Sequence, residues 1–153
     1  MKIRAYVLAA MMLCVATTMG RTQATLDGAP NAAFAGTWDG EKMNGLPSLD
    51  IKIENAGGKL SGVTVFYLQK RKNTEEPWHV EGESPVAMLS PRVTGKTLIF
   101  EVEHHKCHDC TELGPNVKFR MDLISANEAR LWKLDDTRSD EVTGPGLKLT
   151  RRV

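Results

Sequence analysis

The sequence has few cysteines, an almost balanced charge and no long apolar run beyond its N-terminal region. Three cysteines stand among 153 residues, and 20 Lys and Arg residues face 19 Asp and Glu residues. A balance this close, without a basic stripe, argues against DNA or RNA as a partner. No later run approaches the roughly 20 apolar residues of a transmembrane helix, so we expect no transmembrane segment in the mature protein. The length is typical of one domain.

The chain also lacks common catalytic signatures. It contains no Gly-x-Ser-x-Gly and no His-Glu-x-x-His sequence. Gly95-Lys96-Thr97 imitates the end of a phosphate-binding loop, but Ser90 stands where that motif requires its first glycine. We therefore expect a protein that is not an enzyme and that holds no cofactor, with the zinc or copper alternative considered below.

Residues 1–24 have the pattern of a signal peptide. Lys2 and Arg4 precede an apolar run from Ala5 to Ala16, and Thr22-Gln23-Ala24 offers small residues for cleavage after Ala24. The apolar run is short for a membrane anchor. We expect a secreted or periplasmic protein. Because the leader holds three of the basic residues and no acidic one, the mature chain keeps 17 basic and 19 acidic residues.

Residues 25–33 are small or polar and predict a flexible lead-in. After them, apolar and polar residues alternate with a period of two. This alternation predicts half-buried strands with one charged face, which includes Lys118. Gly62 interrupts one strand, so Tyr67 in that strand cannot be assigned to a face. The clearest apolar faces are Leu49, Ile51 and Ile53; Leu98, Phe100 and Val102; and Val117, Phe119, Met121 and Leu123.

Eight sequential strands without a crossover helix predict an all-β domain over residues 34–153. They fit a sandwich or an up-and-down antiparallel barrel, and we favour the barrel because closure removes exposed strand edges. The charged strand faces predict a water-soluble barrel and not an outer-membrane one. Two segments are expected to be less regular. Residues 70–83 predict a long exposed loop, and Val86 to Val93, bounded by Pro85 and interrupted by Pro91, predicts short or irregular pairing.

One short motif resembles a known superfamily. Gly36-Thr37-Trp38, followed by a strand and by Gly58-Lys59-Leu60-Ser61-Gly62, resembles the start of calycin proteins. These include lipocalins, fatty-acid-binding proteins, avidin-like proteins and small secreted bacterial lipocalin-like domains. In calycins the tryptophan closes one barrel end beneath a basic residue of the last strand. The resemblance thus implies Trp38 as a plug and Arg151 as its cation, but it carries no biotin contacts.

The expected barrel has room for packed side chains or for one small ligand. We place the mouth of a pocket at the end that carries the loop from Arg71 to Gly82, with Trp78 and His79 as lid residues. The leading hypothesis is an exported barrel that binds a small apolar or amphipathic molecule without transforming it. The candidate wall residues, each of which also suits plain core packing, are Tyr67, Met88 and Trp132.

The segment His104 to Cys110 contains three of the four histidines and the two cysteines that remain once Cys14 leaves with the leader. In an oxidising compartment a disulfide between Cys107 and Cys110 is the default expectation. The alternative is zinc or copper held by Cys107, Cys110, His105 and His108, which excludes the disulfide because thiolates are the ligands. A metal-binding or redox-sensitive module is therefore a second functional hypothesis. An envelope protein-interaction domain is a third, and it requires an apolar patch or a free strand edge.

Overall fold

The computed structural model describes residues 28–106, 111–134, 141–142 and 144–153. They form a closed barrel of eight antiparallel strands, each paired with its sequence neighbour, with the last strand paired to the first. This confirms the predicted fold class. After a short helix, α1 (Gly28–Ala32), the strands are β1 (Gly36–Gly40), β2 (Leu49–Ala56), β3 (Lys59–Lys70), β4 (His79–Thr94), β5 (Thr97–Val102), β6 (Val117–Leu123), β7 (Glu128–Leu134) and β8 (Leu147–Arg151).

The inward faces of β2, β5 and β6 follow the alternation in the sequence. Ile51 in β2 pairs with Thr64 in β3, and Phe100 in β5 pairs with Phe119 in β6. All these side chains are buried and all but Thr64 belong to one apolar cluster. Ile51, Phe100 and Phe119 therefore lie in a single core, as the period of two predicts.

One end of the barrel is closed by Trp38, which is fully buried. Its indole Nε1 donates a hydrogen bond of 2.9 Å to the carbonyl oxygen of Phe34. Arg151 pairs with Trp38 across β8 and β1, and its guanidinium carbon lies 4.3 Å from the centre of the indole ring. The same guanidinium donates to the carbonyl oxygens of Ala33 and Ala35. This is the arrangement that the calycin resemblance implies, and we call this the plug end.

The opposite end carries the longer connections, and we call it the open end. The antiparallel order places there the loops after β1, β3, β5 and β7, whereas the tight turns after β2, β4 and β6 lie at the plug end. The 12-residue β3 and 16-residue β4 reach beyond their neighbours at the open end. Leu49 and Phe66 form the last pair of β2 with β3, while β3 and β4 stay paired as far as Lys70 and His79.

The pairing of β4 is longer than its prolines predict, and it is irregular around Pro91 as predicted. β4 runs without interruption from His79 to Thr94, so the loop before it ends at Trp78 and His79 belongs to a strand. Pro91 lies inside the irregularity between Leu89 and Arg92, where the β5 register shifts. A proline costs little there because a bulge leaves its residue unpaired.

Two further segments differ from the sequence analysis. Within the predicted lead-in, Gly28–Ala32 form a helix, and the Asn31 amide donates a hydrogen bond of 2.7 Å to the carbonyl oxygen of Gly58. Lys118, which the alternation assigns to solvent, is only 5% exposed. Its β7 partner Leu134 is also buried, so this part of the outer face is covered.

No helix in the described ranges has the length and apolar character needed to cross a bilayer.

We expect Arg151→Met to destabilise the protein by about 2–3 kcal/mol, because it removes the cation above Trp38 and two hydrogen bonds to backbone carbonyl groups. Chemical denaturation followed by tryptophan fluorescence measures this loss. Arg152→Met is the matched control, since the side chain of Arg152 is 55% exposed and, in the described structure, bonds only to the carboxylates of Asp39 and Asp50. Equal losses in the two variants would contradict the plug assignment.

Candidate functional site

The inward side chains change from buried to half-buried toward the open end. Ile51 and Met121 are fully buried in the middle of the barrel, whereas Phe66, Val86 and Leu147 are only partly covered. Beyond Phe66, Leu68 of β3 and Gly82 of β4 continue the inward row in the extension of the two strands. The open end therefore presents an apolar surface that the strand pattern turns toward the barrel axis.

A cavity of about 400 Å³ opens at this end, on the side of β2 and β6 to β8. Its inward-facing lining is apolar, and Phe119 stacks on Phe100 at 5.6 Å between ring centres. Lys133, which is exposed and shares the inward phase of Leu131, supplies a positive charge at the rim. The other lining residues are Leu49, Phe119, Leu131, Trp132, Gly146 and Leu147.

Trp132 forms the outer border of this cavity. It lies on the outer face of β7, opposite in phase to Leu131, and its indole Nε1 donates a 3.1 Å hydrogen bond to the carbonyl oxygen of Gly144. The ring covers Gly146, where an added Cβ would lie only 2.5 Å from Trp132 Cε2. Gly146 also has a φ of +67°, a backbone conformation that glycine adopts readily. Glycine is therefore favoured at this position both by the backbone and by the close approach of the Trp132 ring. Trp132 thus lines the cavity, but from outside the barrel.

Of the other predicted wall residues, Met88 faces inward and Tyr67 faces outward. Met88 is 7% exposed and belongs to the core. Tyr67 lies between inward-facing Phe66 and Leu68 and donates a 2.9 Å hydrogen bond to the carboxylate of Asp50. The position of Tyr67 corrects its assignment as a candidate wall residue. Gly62 left the phase of β3 undetermined in the sequence, and only the β2 register resolves it.

The predicted lid residues lie at the open end but outside the lining of the cavity. Trp78 is half-buried and the Arg71 guanidinium carbon lies 4.8 Å from the centre of its ring. His79 is exposed and pairs with Lys70 at the end of the β3–β4 extension. Their lid role stays a prediction, and the cation of Arg71 stacks on Trp78.

Cys107, His108 and Cys110 lie outside the described residues, so the disulfide and the metal site stay predictions. The chain on either side forms a hairpin at the open end, in which His105 pairs with Leu113 and the Gly114 amide donates a 2.7 Å hydrogen bond to the carbonyl oxygen of His104. In the described part of the chain no three metal-ligating side chains gather. His105 and Leu113 therefore lie at the same end of the barrel as the loop of Trp78.

A second cavity, of about 520 Å³, lies at the plug end between the turn at Lys96 and the turn after β6. Ile124, Ala126 and Arg151 are among its lining residues. Its lining holds two cations, exposed Lys96 and Arg151, and Arg151 is already engaged because it bonds two backbone carbonyl groups and stacks on Trp38. This cavity lies outside the plug.

The edge of β4 bears on the hypothesis of an interaction domain. Met88 and Val102 form the last pair of β4 with β5, so within the described ranges His79–Ala87 pair only with β3. Pro85 lies in this edge and lacks an N–H group, and Glu83 is exposed beside it. Proline and charge are devices that prevent strand addition. The edge is therefore protected against pairing rather than prepared for it.

Comparisons with protein-family models, with curated proteins and with solved structures gave no match to this chain.

The hydrogen bond to Asp50 raises the pKa of the Tyr67 hydroxyl above its ordinary value of 10.0, and partial burial acts in the same direction. The protonated phenol is therefore favoured by folding, a contribution that is present below the ordinary pKa and is lost as the pH rises through the folded pKa. We expect Asp50→Asn to lower the Tyr67 pKa.

Absorbance titration of the chain from residue 25 measures this pKa, since Tyr67 is then its only tyrosine. Glu54→Gln, farther along the same strand, is the control. A Tyr67 pKa at or below its ordinary value, or one unaffected by Asp50→Asn, would contradict the outward placement.

Proposed function

We propose that this protein is an exported barrel that binds one small apolar or amphipathic molecule at its open end without transforming it. The single observation that carries the proposal is the cavity of about 400 Å³ lined by inward-facing Leu49, Phe119, Leu131 and Leu147. Small-molecule sites are typically concave, mostly apolar and about 300–1,000 Å³ in volume. The volume of the cavity lies in this range, and its inward-facing leucine and phenylalanine side chains are apolar.

The open end suits a ligand better than the plug end does. At the plug end the polar groups of Trp38 and Arg151 bond to backbone carbonyl groups, and their packing closes the barrel. At the open end Phe66, Leu147 and the rim cation Lys133 remain partly or largely exposed. When a ligand covers partly exposed apolar side chains, the binding free energy becomes more favourable by about 25 cal/mol per Å² of apolar area removed from water.

Export is part of the proposal and is supported by the leader pattern of Lys2, Arg4 and the apolar run from Ala5 to Ala16. An exported protein also meets the oxidising conditions in which Cys107 and Cys110 form a disulfide.

Native mass spectrometry of protein purified from the periplasm or medium tests export and the disulfide together. We expect the mass of a chain that begins at Thr25, reduced by two hydrogens, with no metal bound. Dithiothreitol should restore the two hydrogens. A retained leader would contradict export, whereas a mass increment equal to zinc or copper would favour the metal-binding hypothesis for the Cys107–Cys110 loop over the disulfide.

Fluorescence titration with N-phenyl-1-naphthylamine, an uncharged apolar probe, tests binding at the open end. We expect saturable binding to the wild type and at least a tenfold loss of affinity in Leu147→Trp, because the larger side chain fills the cavity. Ala126→Trp, which fills the plug-end cavity instead, is the matched control and should bind as the wild type does. Circular dichroism shows that each variant is folded.

The absence of probe binding to the folded wild type would contradict the proposed function. A loss of affinity in Ala126→Trp with none in Leu147→Trp would place the site at the plug end and contradict the open-end assignment.

A further inference from the structure

The inward face of β3 carries one polar side chain in its buried part, Thr64. Thr64 is 1% exposed, and its hydroxyl oxygen has no hydrogen-bond partner among the described residues. Buried hydroxyl groups in proteins are nearly always hydrogen-bonded, because burial without a partner costs free energy. An isosteric valine would fill the same space without that cost. The hydroxyl therefore needs an explanation beyond packing.

The immediate neighbours of Thr64 supply only apolar side chains. Thr64 pairs with Ile51 of β2 and with Val86 of β4, all on the inward face. The next inward positions are Gly62 and Phe66 on β3 and Ser84 and Met88 on β4, and of these Ser84 alone has a polar side chain. The Thr64 hydroxyl makes no hydrogen bond to Ser84 in the described structure, so a molecule that enters the barrel can supply its partner.

Thr64 lies one inward position below the partly exposed part of β3. Phe66 comes next toward the open end, where it pairs with Ser84, and both are half-buried. Val86, directly beside Thr64, is half-buried too. Farther out, a Cβ added at Gly82 would meet Leu68 Cδ1 at 3.8 Å, an ordinary van der Waals contact, so this side of the mouth is not tightly packed. Thr64 is thus the first polar group below the mouth along β3.

We propose that the Thr64 hydroxyl hydrogen-bonds the buried end of the ligand, and that the ligand is therefore an uncharged molecule with a carbonyl or hydroxyl oxygen at that end. This inference rests on the proposed function. The lining of the open-end cavity includes Phe119 but neither Phe66 nor Thr64. The ligand occupies the cavity against Phe119, extends past Phe66, whose ring centre lies 6.0 Å from that of Phe119, and places its oxygen at Thr64.

The charge distribution sets the class of ligand. The inward-phase cation Lys133 is at the rim, and Arg151 is held at the plug by Trp38 and two carbonyl groups. The inward positions around Thr64 carry no charge, and an ionised group buried there would have no counter-charge. A carboxylate therefore stays at the mouth, and the end that reaches Thr64 is neutral.

The test uses prodan, an uncharged naphthalene ketone whose emission shifts to longer wavelength when its carbonyl oxygen accepts a hydrogen bond. Its affinity and bound emission are measured for the wild type, Thr64→Val and Thr64→Ser. We expect Thr64→Val to bind about 3- to 10-fold more weakly, in line with the loss of one hydrogen bond, and to emit at shorter wavelength. Thr64→Ser keeps the hydroxyl and should retain the wild-type emission.

A second measurement shows whether the hydroxyl lacks a partner in the empty barrel. We expect Thr64→Val without ligand to melt at a higher temperature than the wild type, since the unpartnered hydroxyl is removed without loss of volume. Thr150→Val, at an exposed position on β8, is the control for the substitution itself. A lower melting temperature in Thr64→Val would mean that the hydroxyl is already satisfied, for instance by a buried water, and would overturn the proposal.

The outcomes separate this inference from the proposed function. If the wild type binds neither prodan nor N-phenyl-1-naphthylamine, the proposed function fails and this inference fails with it. If the wild type binds both and Thr64→Val binds prodan with unchanged affinity and emission, only the role of Thr64 is overturned. Because N-phenyl-1-naphthylamine has no oxygen, its affinity for Thr64→Val should stay within about twofold of the wild-type value.

Discussion

Pairing between the first and the last strand is the constraint on which the rest of the structure depends. β1 is only five residues long, yet it pairs with β2 on one side and with β8 on the other. The same seam aligns Trp38 with Arg151, so the two groups that close one end are positioned by the pairing that closes the sheet. Without this pairing, the sheet would have two free edges and Arg151 would no longer be held over Trp38.

Closure makes the two ends chemically different. At the plug end, the indole N–H of Trp38 and two nitrogen atoms of Arg151 donate to backbone carbonyl groups. At the open end, apolar side chains such as Phe66 and Leu147 remain partly exposed, and the hydroxyl of Thr64 has no partner in the described structure. Partly exposed apolar side chains and a hydroxyl group without a hydrogen-bond partner therefore lie on the inner surface toward the open end. This difference between the two ends supports ligand binding at the open end.

The regular part of the fold could be predicted because alternation depends on neighbouring residues alone. Leu49, Ile51 and Ile53 identify the inner face of β2 without knowledge of any partner strand. β3 could not be phased in this way, since Gly62 breaks the pattern and only the pairing of Ile53 with Gly62 fixes which side chains face inward. For this reason the sequence alone allows Tyr67 as a candidate wall residue and does not identify Thr64, the polar residue that faces inward.

Other parts of the site depend on contacts between segments far apart in the sequence. The burial of Lys118 and the contact of Trp132 with Gly146 arise from the neighbouring strand and from the connection between β7 and β8. The sequence does distinguish Thr64: on its face of β3, Thr64 is the polar residue among apolar Leu60, Phe66 and Leu68. This difference could be interpreted only after the register was known.

Chemical-shift mapping by NMR shows which end of the barrel binds an apolar molecule. Isotope-labelled protein is titrated with N-phenyl-1-naphthylamine, and the amide and methyl shifts of both barrel ends are followed. Binding at the open end predicts that the largest changes, with contacts to the probe, occur at Phe66, Phe119 and Leu147, while Ile124 and Asn127 at the plug end stay unchanged. Changes centred on Ile124 and Asn127 would contradict it.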